Sequence, residues 1–323
     1  MLRRRTTLVL AGLTLPSLAR AQAGFPERNP RYIVPFPPGG LTDIMARILA
    51  QRLSETWGKA VVIDNRAGGN ALIGADAAAK AAPDGHTLLA ITLTHAVNAT
   101  LFPNAPYDFR RDFAVLSVLG SLPLVVVVNA ERSPARSLGD LVQLARERSL
   151  NGGSSGNGSP PHLGLELFRR AANAGDRIVH VPYRGGAPSV TDLAAGNLDL
   201  MVSNLPECLA QIRGGRLRPL GITSTERHPL VPEVPTVREL GLPQLEMTNW
   251  TAVLTGAATP APLLARLERD VVAAMGDADV VRRSRDAGFQ VLGWDAVRST
   301  RFVRDETDRW STLVTEAQIR PDA

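Results

Sequence analysis

The sequence predicts an α/β protein of two lobes, with largely parallel sheets and a ligand cleft between the lobes. Short apolar runs alternate with amphipathic helical patterns along nearly the whole chain, which is the mark of a layered α/β fold. Setting aside an N-terminal leader of residues 1–23 leaves 300 of the 323 residues, enough for two hydrophobic cores. An apolar segment near 245–254 returns late in the chain to the first lobe, so one lobe is inserted in the other. The division expected is 24–123 with 246–323 for the first lobe and 124–245 for the second.

The elements follow in order. Residues 32–35 form a strand, and the loop 36–40 leads to a helix over 42–57 that Thr42 is placed to cap. In that helix Ile44, Met45, Ile48, Leu49, Leu53 and Trp57 recur at helical spacing, while Arg47, Gln51 and Glu55 take the other face. Gly58 ends it. Residues 61–63 predict a buried strand, 74–81 an alanine-rich helix stopped by Pro83-Asp84-Gly85, and 87–91 a third strand. Strand-helix-strand-helix-strand of this kind makes a parallel sheet.

In the second lobe the apolar run 122–128, interrupted by Pro123, predicts a buried strand. A helix over 137–148 leads to the glycine- and serine-rich stretch 151–159. A helix from 162, a strand over 178–181, a helix over 187–195 and a strand over 198–202 continue the alternation. Helices over 262–275, 278–287 and 294–318 then pack on the first lobe. In such folds ligands sit at the carboxyl ends of parallel strands.

The leader is read from three parts in order. Arg3, Arg4 and Arg5 form a basic region, residues 8–18 a short apolar run, and Ala21-Gln22-Ala23 a cleavage site with small residues. The apolar run falls short of the about 20 residues a membrane span needs. The paired arginines suit twin-arginine export, but Thr7 stands where that pattern wants a bulky apolar residue, so the route stays open. Cleavage removes four arginines and no acid, which takes the balance from 36 basic against 31 acidic to 32 against 31. A nearly neutral mature chain gives no support for nucleic acid as a partner. Cys208 is the single cysteine and closes no internal disulfide. Its setting after Pro206 reads as a small buried apolar residue in a helix.

Three loops share one construction: a strand, glycine-rich backbone, then a helix start. They span 35–43, 153–159 and 181–187. Each can aim unpaired backbone N–H groups and the positive end of a helix at one point, which suits an anion. Pro160 and Pro161 remove two donors from the helix start after Ser159, so the hydroxyls of Ser154, Ser155 and Ser159 and the backbone at His162 must do more. Asp43 at a helix start has two readings, a local cap or a ligand group, and residue type does not separate them.

Two enzyme motifs need weighing. Gly152-Gly153-Ser154-Ser155-Gly156 matches the G-x-S-x-G elbow of serine hydrolases, which would make Ser154 a nucleophile. That elbow needs a sharp turn from strand to helix, whereas here the glycine-rich approach is a poor strand and two prolines precede His162. Gly156-Asn157-Gly158 lacks the third glycine of a dinucleotide site. The histidines (86, 95, 162, 180, 228) show no metal-ligand spacing, and no cofactor is expected. His162 alone is placed for ligand contact, beside the serine loop.

At these loops the chain resembles the substrate-binding proteins of tripartite tricarboxylate transporters, first described as Bordetella uptake gene products. The pieces that carry the resemblance are Val34-Pro35-Phe36-Pro37-Pro38-Gly39-Gly40 with Thr42-Asp43, Asn65-Arg66, and Pro83-Asp84-Gly85 with Thr87-Leu88-Leu89. The serine-glycine loop with His162-Leu163 and the stretch from His180 through Tyr183-Arg184-Gly185-Gly186 to Pro188 complete it. It covers residues 31–292. The resemblance implies a periplasmic binding protein-like fold of type II, closing as a monomer on a small carboxylate and passing it to membrane permease subunits. Ligands in such a family include dicarboxylates, citrate, acidic or amidated amino acids and aromatic acids. It also implies that the loop after the first strand holds one carboxylate, partly through ordered water. Phe36, Gly39, Gly40, Thr42 and Asp43 would form that wall, and Ser154, Ser155, Ser159 and His162 the opposing one. Tyr183, Arg184, Gly185 and Gly186 would supply the third side, with Asn98 nearby. Three departures bear on ligand identity: Arg184 in place of a usual lysine, Asn98-Ala99 in place of asparagine-proline, and Gly152 in place of an aromatic or apolar residue before the serine loop. A guanidinium at 184 can hold a carboxylate through two parallel bonds. A sensor or scavenger with no permease of its own would use the same ligand chemistry.

Overall fold

The computed structural model describes residues 24–321, so the leader expected over 1–23 lies outside the described residues. The chain runs β1 (Arg31–Val34), α1 (Leu41–Trp57), β2 (Val62–Asn65), α2 (Leu72–Ala79), β3 (Thr87–Thr92), α3 (Leu93–Leu101) and β4 (Phe113–Asn129). There follow α4 (Leu138–Glu147), β5 (Leu150–Ser154), α5 (Pro160–Ala171), β6 (Ile178–Pro182), α6 (Gly186–Ala195), β7 (Leu200–Asn204), α7 (Leu205–Arg213) and β8 (Leu217–Ile222). The last elements are β9 (Thr248–Gly256), α8 (Ala261–Met275), α9 (Ala278–Asp286), β10 (Gln290–Val291) and α10 (Ala296–Glu316).

The strands join in the order β2-β1-β3-β9-β4-β7-β5-β6. The outer trios β2-β1-β3 and β6-β5-β7 are parallel, as the alternation of strands and helices requires. The ladders that β3, β4 and β9 make across the middle are antiparallel. Strand β4 is the common member. Its residues up to Pro123 pair with β9, and from Leu124 onward they pair with β7 and β8. Pro123 sits where the strand changes partners, a position where the loss of one ladder N–H is tolerated. Leu124, Val126 and Val128 face one core and Val125 and Val127 another, so the apolar run is a strand buried on both faces.

Four expectations change. Thr42 does not cap α1; Gly40 is the N-cap and Thr42 lies buried inside the first turn. The strand expected over 61–63 is the edge strand β2, with Val62 about half exposed at 49%. The sequence signal for burial was its β-branched run, which an edge strand shares. A helix, α3, follows β3 directly and was not foreseen; Thr92 caps it, and His95 answers from the third position through its Nδ1. The fourth change concerns Asn151-Gly152-Gly153-Ser154, which forms β5 between β6 and β7 rather than a poor approach to a turn. A Cβ at Gly152 would lie 2.6 Å from Leu165 Cδ1, and one at Gly153 would lie 2.5 Å from Leu198 Cδ1 and 2.6 Å from Ser189 Oγ. The glycines let helices α5 and α6 press onto this strand. Gly153→Ala is therefore expected to cost about 2 kcal/mol by overpacking, read as a shift in denaturant midpoint at constant slope. An unchanged midpoint would mean that the strand does not depend on this close approach.

Candidate functional site

A cavity of about 410 Å³ opens between the two halves of the sheet, a volume suited to a small molecule. It is lined by the loop after β1 on one side and by the loops before α5 and α6 on the other, together with the start of α7 and the strand ends of β7 and β9. The three loops read as equivalent from sequence do converge here. A concavity beneath residues 98–112 and another between β4 and α10 lie away from this convergence.

Nine of the expected residues line the cavity: Phe36, Gly39, Gly40, Thr42, Ser155, Ser159, Arg184, Gly185 and Gly186. Gly39 takes φ 79°, left-handed backbone that glycine adopts without cost, and this turns its N–H onto Asp43. Asp43, Asn98, Ser154, His162 and Tyr183 stand one layer back, with their polar groups engaged. Asp43 Oδ2 accepts from Gly39 N–H at 2.9 Å and from Arg47 Nε at 2.8 Å, and Oδ1 accepts from Asn65 Nδ2 at 2.9 Å. Burial alone would raise its pKa; the Arg47 guanidinium, Gly39 N–H and Asn65 amide together hold it below the usual carboxylate value. Of the two readings of Asp43, the local one describes its contacts.

Asn98 exchanges two hydrogen bonds with Asn70, Nδ2 to the Asn70 carbonyl at 2.7 Å and Oδ1 from Asn70 Nδ2 at 2.9 Å. It fixes Asn70, a cavity-lining residue in left-handed backbone. The hydroxyl of Tyr183 donates to Asp192 at 2.6 Å, and burial with this carboxylate pushes its pKa up to about 12. His162 accepts from Gly158 N–H through Nδ1 at 3.0 Å and stacks on His180 with ring centroids 3.7 Å apart. Desolvation, with His180 and Arg169 nearby, lowers its pKa to about 3, so the ring is neutral.

Ser154 Oγ lies 2.6 Å from His180 Nε2, a nucleophile-to-base distance. The serine is fully buried, accepts from Gly156 N–H, and does not line the cavity. Ser159 caps α5 as its two prolines require, its Oγ donating to the Gly156 carbonyl at 2.6 Å and accepting from His162 N–H. Ser155 Oγ is buried, faces the cavity wall and has no partner among the described residues.

Sequence reasoning missed Asn70, Asn204, Glu207 and Asn249, all of which line the cavity. A Gly-Gly-Asn run was a fair signal for Asn70, since asparagine tolerates left-handed backbone. The others come from strand ends and a helix start brought together only by the sheet crossing. Asn249 Nδ2 donates to Asn204 Oδ1 at 3.1 Å, and the neighbouring Asn204 draws the Glu207 pKa down against the raising effect of burial. Arg184 and Glu207 are the charged residues among those lining the cavity, and Arg184 has no ion pair with any described residue. Cys208, next to Glu207, is buried in α7, and burial with that neighbouring carboxyl pushes its thiol up to about 12.

The fold and cleft have clear relatives. The chain is 36% identical over 313 residues to protein BugT of Bordetella pertussis, with 96% of this chain and 94% of that protein covered. Two solved structures from Rhodopseudomonas palustris superpose closely. One, with bound adipate, has a TM-score of 0.86 at 35% identity, and the other, MatC with bound malate, has 0.82 at 31%. They cover 92% and 90% of this chain, and each is matched over 100% of its own length. The model of the tripartite tricarboxylate transporter family receptor matches residues 45–319. On that match, and on a fold shared with periplasmic binding proteins, this chain belongs to the tripartite tricarboxylate transporter receptor family.

Proposed function

We propose that this protein is an extracytoplasmic receptor, not an enzyme, that captures a small carboxylate in the interlobe cavity and delivers it to a tripartite tricarboxylate transporter. The observation that carries this reading is the convergence of three glycine-rich loops on a cavity holding one guanidinium, Arg184, without an ion pair among the described residues. Relatives of similar length and fold hold malate and adipate. Phe36, Gly39, Gly40, Thr42, Ser155, Ser159, Arg184, Gly185 and Gly186 contact the ligand, while Asp43, Asn98, Ser154, His162 and Tyr183 hold that wall from behind. The lobes 24–123 with 246–323 and 124–245 close by bending at the two crossings, and the closed form is selected by a ligand that bridges both. Residues 1–23 direct export and are removed. Among the described residues no helix is long and apolar enough to cross a membrane.

Micromolar affinity needs about −8 kcal/mol, within reach of three or four hydrogen bonds to charged oxygens at about 1.5–3 kcal/mol each after ordering costs. Bond-making groups are not needed, and Ser154 is fully buried and does not line the cavity. The test is calorimetry of ligand-free protein over a panel of organic acids, with native mass spectrometry to name any co-purified ligand. Arg184→Ala is expected to weaken the best acid by roughly ten- to hundredfold, the loss of one charge-assisted contact of about 1.5–3 kcal/mol. Arg184→Lys should keep part of it. Failure of every acid to bind the wild type would remove the basis for the receptor reading.

A further inference from the structure

Glu207 is the acidic residue among those lining the cavity, and its place there is built rather than incidental. It stands in the first turn of α7 beside Asn204, which itself accepts a hydrogen bond from Asn249. Its Oε2 is buried and has no hydrogen-bond partner among the described residues. The carboxyl rests against the backbone of Gly186, where any side chain would collide with it, so the loop before α6 leaves room for this group. A residue that lines the cavity is thus left with one buried carboxyl oxygen that has no partner among the described residues.

An unpartnered buried carboxyl oxygen costs free energy until something donates to it. A carboxyl group can accept a hydrogen bond at such an oxygen in either protonation state, but it can donate only when protonated. A ligand group that donates is therefore matched to this position under all conditions, whereas a bare methylene leaves the oxygen unsatisfied and a second carboxylate demands a proton. Burial pushes the Glu207 carboxyl up to about 7, against the opposing pull of Asn204, which makes a repelled second carboxylate less costly but does not remove the preference. Arg184, lining the same cavity with no ion pair to any described residue, supplies the opposite charge.

We propose that Glu207 is a specificity-determining residue that selects hydroxy- or amino-carboxylic acids, taking a hydrogen bond from the ligand's hydroxyl or ammonium group while the carboxylate is held elsewhere in the cleft. This rests on the carboxylate-receptor reading given above. The discrimination follows the rule that a site built to hydrogen-bond a polar group rejects the analogue that lacks it.

The experiment is calorimetry of the full chain against matched acids: succinate, malate and aspartate, then glutarate, 2-hydroxyglutarate and glutamate. In the wild type at least one substituted acid of each set should bind tenfold or more tightly than its unsubstituted parent. Glu207→Ala should bring the substituted and parent acids within threefold of each other. Glu207→Gln keeps an acceptor without the charge, so a hydroxyl preference should largely survive in it and an ammonium preference should fall at least tenfold, which separates the two donors. Should Glu207→Ala fail to fold, Glu207→Leu, which also removes the acceptor, takes its place in the same comparison. Equal binding of parent and substituted acids to the wild type, or an undiminished preference in Glu207→Ala, overturns the role of Glu207 and leaves the receptor reading standing. No binding by any acid overturns both.

Discussion

Asp43→Ala destabilises the protein by about 3 kcal/mol, because it removes a buried carboxylate on which three donors depend. Gly39 N–H, Arg47 and Asn65 converge on its two oxygens, and its side chain is only 3% exposed. Arg47 is itself half exposed and regains water, so the loss falls short of that for a fully buried pair. For a chain of this size the change corresponds to a melting temperature lower by roughly 6–12 °C. A functional effect accompanies it. Gly39 and Gly40 form part of the cavity wall, and Asp43 ties that turn to α1 and, through Asn65, to the end of β2. Carboxylate affinity should fall at least about tenfold, since an untied loop must be ordered on binding. Asp43→Asn keeps an acceptor for Gly39 and loses the ion pair, and should cost about 1 kcal/mol. A thermal melt and one calorimetric titration check both statements; wild-type stability in Asp43→Ala would show that the network does not organise the loop.

Glu207→Gln removes a pH dependence of stability worth about 3 kcal/mol. The sign follows from the direction in which burial moves the carboxyl. Its folded-state pKa rises from 4.5 to about 7, so the folded protein holds a proton that the unfolded chain has released. This contribution is intact below pH 4.5 and is lost as pH rises through 7, at about 1.4 kcal/mol for each pH step between those two values. Two buried histidines act in the opposite sense. Desolvation lowers His95 and His162 from 6.5 to about 3, so they favour the folded state above pH 6.5 and destabilise it as pH falls toward 3. The raw pH profile mixes these contributions. The difference between wild type and Glu207→Gln isolates the carboxyl: the variant should gain on the wild type between pH 5 and pH 8 in urea melts of ligand-free protein. A constant difference across that range would place the Glu207 titration elsewhere.

Much of the site is legible in the amino-acid sequence. The glycine-rich loops after three strands are written in residue types whose physics is local: glycine for unusual backbone, proline for missing donors, serine for a helix cap. The pairing of Arg184 with those loops can be read from adjacency in the chain. Asn204, Glu207 and Asn249 cannot be found in this way. They come from separate elements, each has an ordinary local meaning, and only the crossing of β4 and β9 between the sheet halves brings them to one cavity wall.

Residue order alone specifies the alternation of strands and helices, the parallel trios and the loops that end them, because hydrophobic period and turn chemistry act over a few residues. It also carries the motifs by which the family is recognised. Long-range packing settles the rest. It makes Gly152-Gly153 a strand, since helices press closely on both glycines, and it leaves β2 at the edge of the sheet. It ties Asp43 to its own loop, and it leaves a carboxyl oxygen of Glu207, a cavity-lining residue, buried without a partner among the described residues. Each outcome depends on which distant groups share a small volume, and that is a property of the folded chain rather than of any short stretch of it.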